Sequence, residues 1–376
     1  MNKKSLCFAT VSSPHYLGGY SLYHKNLAKI LKKSYDLSWV YFGEGNAKYK
    51  KDGVTYFEIK TNKFKSATRV GEIISLSRFF NKNYFDIINT TVGLREIFYK
   101  KREKQKIIQT FHGTAYYFNK NHFERFNLIQ KILLAPILFF GWLREKPHPR
   151  TDMIICVSEK VKRQVQRLYG KGFDTRVIRT GVDLKDFKKR DKQKIRRRLN
   201  LEGNKLYALY VGRGGFWTKG LDRAVMVGKE MYREDKDFRL IVIGSDPKKT
   251  KHLLKEPFLL FLESVARDKM PLYYSSSDMF FCMSRYEGGA PTLVVSEAMA
   301  SGCLLVCSKD SEQEIIVDGK NGLLVEKFNK KESQRILNII KDEKLREKIV
   351  KNSQDGAKNL SLDKWGRECL KAIDIN

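Results

Sequence analysis

The chain has 376 residues, 42% of them hydrophobic and 12% aromatic, enough apolar material for more than one core, so two domains are expected. Seventy-three Lys and Arg against 42 Asp and Glu give a formal net charge of +31, which calls for an anionic partner or surface without saying whether it is nucleic acid, lipid or a phosphorylated substrate. Cys7, Cys156, Cys282, Cys303, Cys307 and Cys369 lack the paired spacing of a zinc site or a secreted disulfide framework; no signal peptide follows Met1-Asn2-Lys3-Lys4, and the longest apolar run, 128–142, contains Lys131 and Pro136 and falls short of the roughly 20 residues that span a bilayer.

In chain order, short β-branched or aromatic runs alternate with helical patterns, twice over. The first series of strands is expected at 6–11, 37–42, 54–59, 85–89, 107–111 and 153–157. A helix is expected over 21–33, with Leu22, Leu27, Ile30 and Leu31 as its apolar face. Two glycines, Gly18 and Gly19, lie between the first strand and that helix, followed by Tyr20. His112 ends the fifth strand. The other histidines, His15, His24, His122, His148 and His252, form no metal-ligand spacing. The run 127–142, with Arg125, Lys131, Arg144 and Lys146 in or beside it and Tyr116, Tyr117 and Phe118 nearby, reads either as a buried helix or as a basic-flanked helix lying in a membrane interface.

A charged stretch, 183–204, reads as a linker plus a short helix, and then the alternation restarts. Strands are expected at 206–211, 239–244, 258–262, 279–283 and 303–308, a helix over about 219–232, and a strand ending in turns within 314–325. Leu362, Trp365, Leu370 and Ile373 space a terminal helix. The fold class is α/β with parallel sheets, whose ligands bind at the carboxyl ends of the strands.

Two segments at such strand ends carry chemistry. Gly212-Arg213-Gly214-Gly215-Phe216-Trp217-Thr218-Lys219-Gly220 puts two cations on a glycine-rich loop, and fixed cations aimed at charge developing on a departing diphosphate are a large source of catalysis in a dry site. Tyr286-Glu287-Gly288-Gly289-Ala290-Pro291-Thr292-Leu293-Val294-Val295-Ser296-Glu297 sets two carboxylates around a glycine turn that opens a helix, with Pro291 suited to its first position and the free N–H groups of the helix start forming an anion site. Asp235-Lys236-Asp237 has the D-x-D form that can hold a divalent ion, but it falls in a charged turn.

From Leu206 to Val325, and less strongly over nearly the whole chain, the sequence resembles the retaining, nucleotide-sugar-dependent glycosyltransferases of the GT-B fold, family-4 type. That resemblance implies two facing Rossmann-like domains with a cleft between them: 1–178 on the acceptor side, 179–358 binding the nucleotide sugar, and 359–376 a helix returning to the first domain. It implies that Arg213 and Lys219 hold the donor diphosphate, that the Gly18-Gly19 loop closes over it, and that His112 contacts the transferred sugar. Gly212, Gly288, Gly289, Ala290, Pro291 and Thr292 would line the donor, and Glu297 would accept the ribose hydroxyls. Three positions depart from the family pattern. Tyr20 stands where a small residue is usual, Thr180 where asparagine is, and the first glutamate should fall eight positions before Glu297, where this chain has Gly289; Glu287 is ten before. Either the loop is longer and Glu287 still reaches the sugar, or backbone N–H groups of 289–292 do most of the holding.

The implied activity is hexosyl transfer from a UDP- or GDP-sugar to a hydroxyl of a glycan or lipid-linked acceptor in cell-surface polysaccharide or glycolipid synthesis. Neither cofactor nor metal is implied, and no nucleic acid partner. The implied setting is cytoplasmic, with attachment to the inner face of the membrane left open. Two rivals are a basic nucleic-acid-binding protein, motivated by charge alone, and another GT-B enzyme such as a phosphorylase, for which no pyridoxal-binding lysine site is found.

Overall fold

The computed structural model describes residues 3–16, 18–60, 70–212, 216–244 and 256–374, which fall into two compact units. One comprises Met1–Arg179 with Gly366–Asn376, the other Thr180–Trp365.

The first unit contains β1 (Ser5–Thr10), α1 (Gly19–Leu31), β2 (Asp36–Gly43), β3 (Ala47–Lys51), β4 (Val54–Lys60), α2 (Val70–Lys82), β5 (Ile87–Thr90), β6 (Lys106–Phe111), α3 (Ala115–Phe123), α4 (Leu128–Glu145), β7 (Met153–Cys156), α5 (Glu159–Tyr169) and β8 (Thr175–Val177). Its sheet runs β3-β4-β2-β1-β5-β6-β7-β8, parallel except for β3. The central strands are buried almost along their whole length because both faces are covered, as a parallel sheet requires. Cys7, Ala9, Val40 and Ile88 pack on one face with Ile73, Leu76 and Phe80 of α2.

The strand β3 was not expected. Its sequence, Ala-Lys-Tyr-Lys-Lys, has little apolar signal, and it sits at the sheet edge, where lysines discourage further pairing. The local signal lay in the turn instead: Asp52 and Gly53 take φ of 52° and 80°, as an Asp-Gly hairpin turn needs.

The second unit contains α6 (Lys192–Arg198), β9 (Leu206–Val211), α7 (Leu221–Glu234), β10 (Phe238–Ile243), β11 (Leu259–Leu262), α8 (Met270–Ser276), β12 (Met279–Cys282), α9 (Leu293–Ser301), β13 (Leu304–Ser308), β14 (Leu323–Val325), α10 (Lys330–Lys341) and α11 (Glu343–Lys358). Its sheet, all parallel, runs β11-β10-β9-β12-β13-β14. Alternate residues of β9 serve opposite layers. Ala208 and Tyr210 pack with Leu221, Val225 and Met231 of α7 and Ile336, Leu337 and Ile340 of α10, while Tyr207 and Leu209 pack with Val295, Ala298 and Met299 of α9. The last helix, α12 (Leu362–Asp374), begins in this unit, and its residues from Gly366 belong to the first, where Lys106 Nζ donates to Ile373 O at 2.9 Å.

Two local expectations need correction. The helix of the second glycine motif starts at Leu293, so Pro291 precedes its N-cap, Thr292, rather than opening it. Thr292 has an extended backbone, and its N–H is claimed by Gln313 Oε1 at 3.1 Å. Within 314–325 only Leu323–Val325 is strand. Upstream, Asn321 Oδ1 accepts from Val317 N (2.8 Å) and Asp318 Oδ1 accepts from Leu324 N (2.7 Å), so side chains compete with a ladder and a turn results.

Candidate active site

In each sheet the strand order reverses once, between β1 and β5 in the first and between β9 and β12 in the second. In open α/β sheets that reversal leaves a crevice at the carboxyl ends of the two strands. The loops that carry Lys219 and Glu287 leave the strands at one of these places, and His112 follows a strand beside the other.

In the second unit, Lys219 comes from the loop after β9 and Glu287 from the loop after β12. Lys219 Nζ donates to both carboxylate oxygens of Glu287 at 2.8 Å, and Ser284 Oγ donates to one of them at 2.5 Å. Glu287 is buried, and the Lys219 side chain keeps 37% exposure. Burial alone would lower the Lys219 pKa; the adjacent carboxylate more than offsets it and holds the ammonium above its ordinary value. It is therefore charged at neutral pH. The two loops are joined a second time, since Arg285 binds Asp222 through both terminal nitrogens (2.8 and 2.5 Å) and donates to Trp217 O at 2.6 Å. Gly212 begins the first loop, where a Cβ would come within 2.6 Å of the Tyr210 hydroxyl. Arg213 lies outside the described residues.

Gly220 follows Lys219 as the N-cap of α7 with φ 71°, and a Cβ there would stand 1.8 Å from Met283 O. Both the left-handed backbone and the clash oppose any side chain. Gly220→Ala is expected to lower stability by about 2–4 kcal/mol, read from urea unfolding. A loss under 1 kcal/mol would show that the loop relaxes freely and does not hold Lys219 in place.

Gly288, Gly289, Ala290 and Pro291 lead from Glu287 to Thr292, whose side chain makes no cap bond, so the first-turn N–H groups of α9 carry their partial positive charge without a capping oxygen. Further along, Glu297 is fully buried and accepts from Arg267 Nη2, with the Tyr274 hydroxyl beside it. Burial raises the Glu297 pKa above the usual carboxylate range in spite of Arg267. The Arg267 guanidinium also lies over the Phe187 ring at 4.7 Å.

In the first unit, a cavity of about 210 Å³ opens beyond the ends of β1, β5 and β6, lined by residues that include Ser12, Tyr20, Thr91, His112, Arg144 and Glu145. His112 packs against Tyr23 (4.4 Å between ring centres), Tyr20 (4.7 Å) and His24 (5.5 Å). Burial pushes both imidazoles down, His24 to about 4 and His112 well below the ordinary histidine range, so both are neutral at pH 7. His112 Nε2 is buried without a partner among the described residues. Glu145 accepts from Ala115 N at 2.6 Å and from Arg144 Nη2 at 3.0 Å, which fixes the pair at the start of α3. Gly18 is the N-cap of α1 and Gly19 its first residue.

Family models match the chain in two consecutive stretches, Glycosyltransferase Family 4 over residues 17–186 and Glycosyl transferases group 1 over residues 191–356. The chain belongs to the family-4-type GT-B glycosyltransferases. An uncharacterized glycosyltransferase of Methanocaldococcus jannaschii is 22% identical over 401 residues, covering 99% of this chain and 98% of the relative. Two solved structures share the fold. WaaG, a glycosyltransferase involved in lipopolysaccharide biosynthesis, superposes with a TM-score of 0.77 at 14% identity, covering 99% of this chain and all of that one. Anabaena HepE, solved in complex with UDP and glucose, gives 0.71 at 16% identity, covering 98% and 99%.

As a glycosyltransferase, the protein is an enzyme, and the nucleic-acid-binding alternative, which rested on charge alone, gives way. Lys219 and Glu287 meet although the spacing of Glu287 departs from the family pattern. The glycosyltransferase also has site neighbours that its sequence did not disclose. Arg267 lies in a charged run without motif, and Arg144 and Glu145 end an apolar helix some 30 residues from the histidine they accompany in the cavity. The Asp235-Lys236-Asp237 carboxylates are taken by lysines, Asp235 by Lys341 (2.9 Å) and Asp237 by Lys205 (2.8 Å). Among the described residues no group of three or more His, Cys, Asp or Glu side chains is arranged to hold a metal ion.

Proposed function

We propose that this enzyme transfers a hexose from a nucleoside-diphosphate sugar to a hydroxyl of a glycan or lipid-linked acceptor, with retention at the anomeric carbon. The observation that carries this is the Lys219–Glu287 pair at the β9/β12 reversal, next to the uncapped start of α9. As the bond between the sugar C1 and the diphosphate breaks, its electron pair goes to the diphosphate oxygen, and a fixed cation with convergent N–H groups stabilises that charge. Lys219 supplies the cation, the N–H groups of Gly289, Ala290 and the first turn of α9 the donors, since Pro291 has none and that of Thr292 is held by Gln313, and Arg213 a second cation by its place in the family motif. Glu297 would accept the ribose hydroxyls once Arg267 shifts, as the family motif implies. Glu287, engaged by Lys219 and Ser284, positions the lysine rather than attacking the sugar. The acceptor oxygen bonds to C1 on the face that the diphosphate leaves, its proton passing to the departing diphosphate oxygen, while neutral His112, too weak a base to take that proton, contacts the transferred sugar. HepE, solved with UDP and glucose, supports the donor class, and WaaG supports a cell-surface glycan product.

The test is a panel of nucleoside-diphosphate sugars scored by thermal stabilisation, then by transfer in the presence of EDTA. The cognate donor at about 100 times its Kd should add about 2.7 kcal/mol of stability. EDTA should leave turnover unchanged, and NMR of the product should show the donor's anomeric configuration. A folded protein that no donor stabilises would overturn the reading.

A further inference from the structure

The 18-residue helix α4 is held at one end and bare at the other. Near its C-terminus Gly141 lies close to Ala115 and Asn119 of α3, the Trp142 indole donates to Leu168 O at 3.2 Å, and the Tyr169 hydroxyl donates to Trp142 O at 3.1 Å. Towards its N-terminus Leu128, Ile129, Ile132 and Leu133 are 73%, 69%, 65% and 71% exposed, and Phe139 is 55% exposed. At about 100° per residue, Leu128, Phe139, Ile132, Pro136, Ile129 and Leu133 occupy one continuous arc of about 140°. This end of the helix is firmly formed. Asn127 Oδ1 accepts from Gln130 N (2.9 Å) and Gln130 Oε1 accepts from Asn127 N (3.2 Å), a complete capping box. An apolar stripe on a well-made helix marks a contact surface.

Charge selects the partner. Lys120 on α3, Arg125 on the connection to α4 and Lys131 on α4 are exposed, and from Lys104 to Arg144 the sequence carries a single acidic residue, Glu124. A second copy seated on this face would set basic surface against basic surface. The helix is not long and apolar enough to cross a membrane. We propose that the exposed face of α4 docks the enzyme on an anionic bilayer, its apolar side chains at the boundary of headgroups and acyl chains and Lys120, Arg125 and Lys131 among the lipid phosphates. This goes beyond the sugar transfer and does not depend on it.

Vesicle flotation of the full chain decides the matter, using phosphatidylglycerol–phosphatidylcholine vesicles and pure phosphatidylcholine vesicles at low and physiological salt. The wild type should float with the anionic vesicles only, and less so as salt rises. The triple variant Ile129→Ser, Ile132→Ser, Leu133→Ser should lose binding by about tenfold or more with an unchanged melting curve. A second variant, Lys120→Glu, Arg125→Glu, Lys131→Glu, should lose it at low salt, and serves alone should the first fail to fold. Three results overturn the proposal: a wild type that stays unbound at low salt, an apolar variant that binds as well as the wild type, which would mean that net charge alone suffices, or a wild-type dimer that the apolar variant converts to a monomer without any vesicle binding.

Discussion

Lys219→Ala is expected to lower kcat by about 10²–10³-fold while the donor KM changes only a few-fold, because the charge that Lys219 meets develops as the sugar–phosphate bond breaks. The substitution also strips a buried carboxylate of its cation. Glu287 keeps Ser284 at 2.5 Å but loses both bonds from the ammonium, and since more than a third of the Lys219 side chain is exposed the stability loss should be about 1–2 kcal/mol, below that of a fully buried pair. A double variant separates the two effects. Lys219→Met with Glu287→Gln removes both charges, so stability should recover to near wild type while kcat stays low. Steady-state kinetics and urea unfolding on the three proteins read this directly. Turnover within tenfold of wild type for Lys219→Ala, with the fold intact, would end the assignment.

Glu297→Gln is expected to raise the donor KM by about tenfold or more and to leave kcat much less affected, because the ribose is held alike in ground and transition states. Its effect on stability has the opposite sign to that of an ordinary salt-bridged carboxylate. Burial holds the Glu297 pKa above its ordinary 4.5 even with Arg267 beside it. A group whose pKa is raised on folding contributes stability that is fully present below its unfolded pKa and lost as pH rises through its folded pKa. The wild type should therefore lose stability relative to Glu297→Gln as pH climbs above about 4.5, and the glutamine variant should be no less stable at pH 7. Urea melts of both proteins across that range test the sign. A wild type that gains on the variant with rising pH would show that Arg267 outweighs the burial of the carboxylate.

The strands of the second unit were legible because each is a short apolar run bounded by polar turns, a property of five or six neighbouring residues. Structure moved β9, β11, β12 and β13 by at most one residue from their expected bounds. Segments whose local signals conflict were harder. The lysine-rich β3 has no apolar pattern of its own, and in 314–322 the side chains of Asp318 and Asn321 displace the ladder that the apolar residues suggest. The glycine motifs were legible for a related reason, since glycine beside a strand end frees the backbone for a tight turn or a close approach whatever surrounds it. The helix start at Leu293 was not, because the residue that fixes it, Gln313, approaches Thr292 only in the folded chain.

By itself, the amino-acid order determined two α/β units, the strand-end loops that carry Lys219 and Glu287, and an apolar helix flanked by basic residues. It left open which charges meet. Lys219 and Glu287 are 68 residues apart and touch because β12 pairs with β9 on the side opposite β10, a choice made by crossover connections and not by either loop. In the same way Arg267 reaches Glu297 across 30 residues, and α4 is exposed because α3 and α5 hold its C-terminal half and nothing among the described residues of its unit covers the rest. Local pattern is a property of neighbours in the chain. Pairing of charges and exposure of a face depend on how the sheets order their strands, which only the tertiary structure decides.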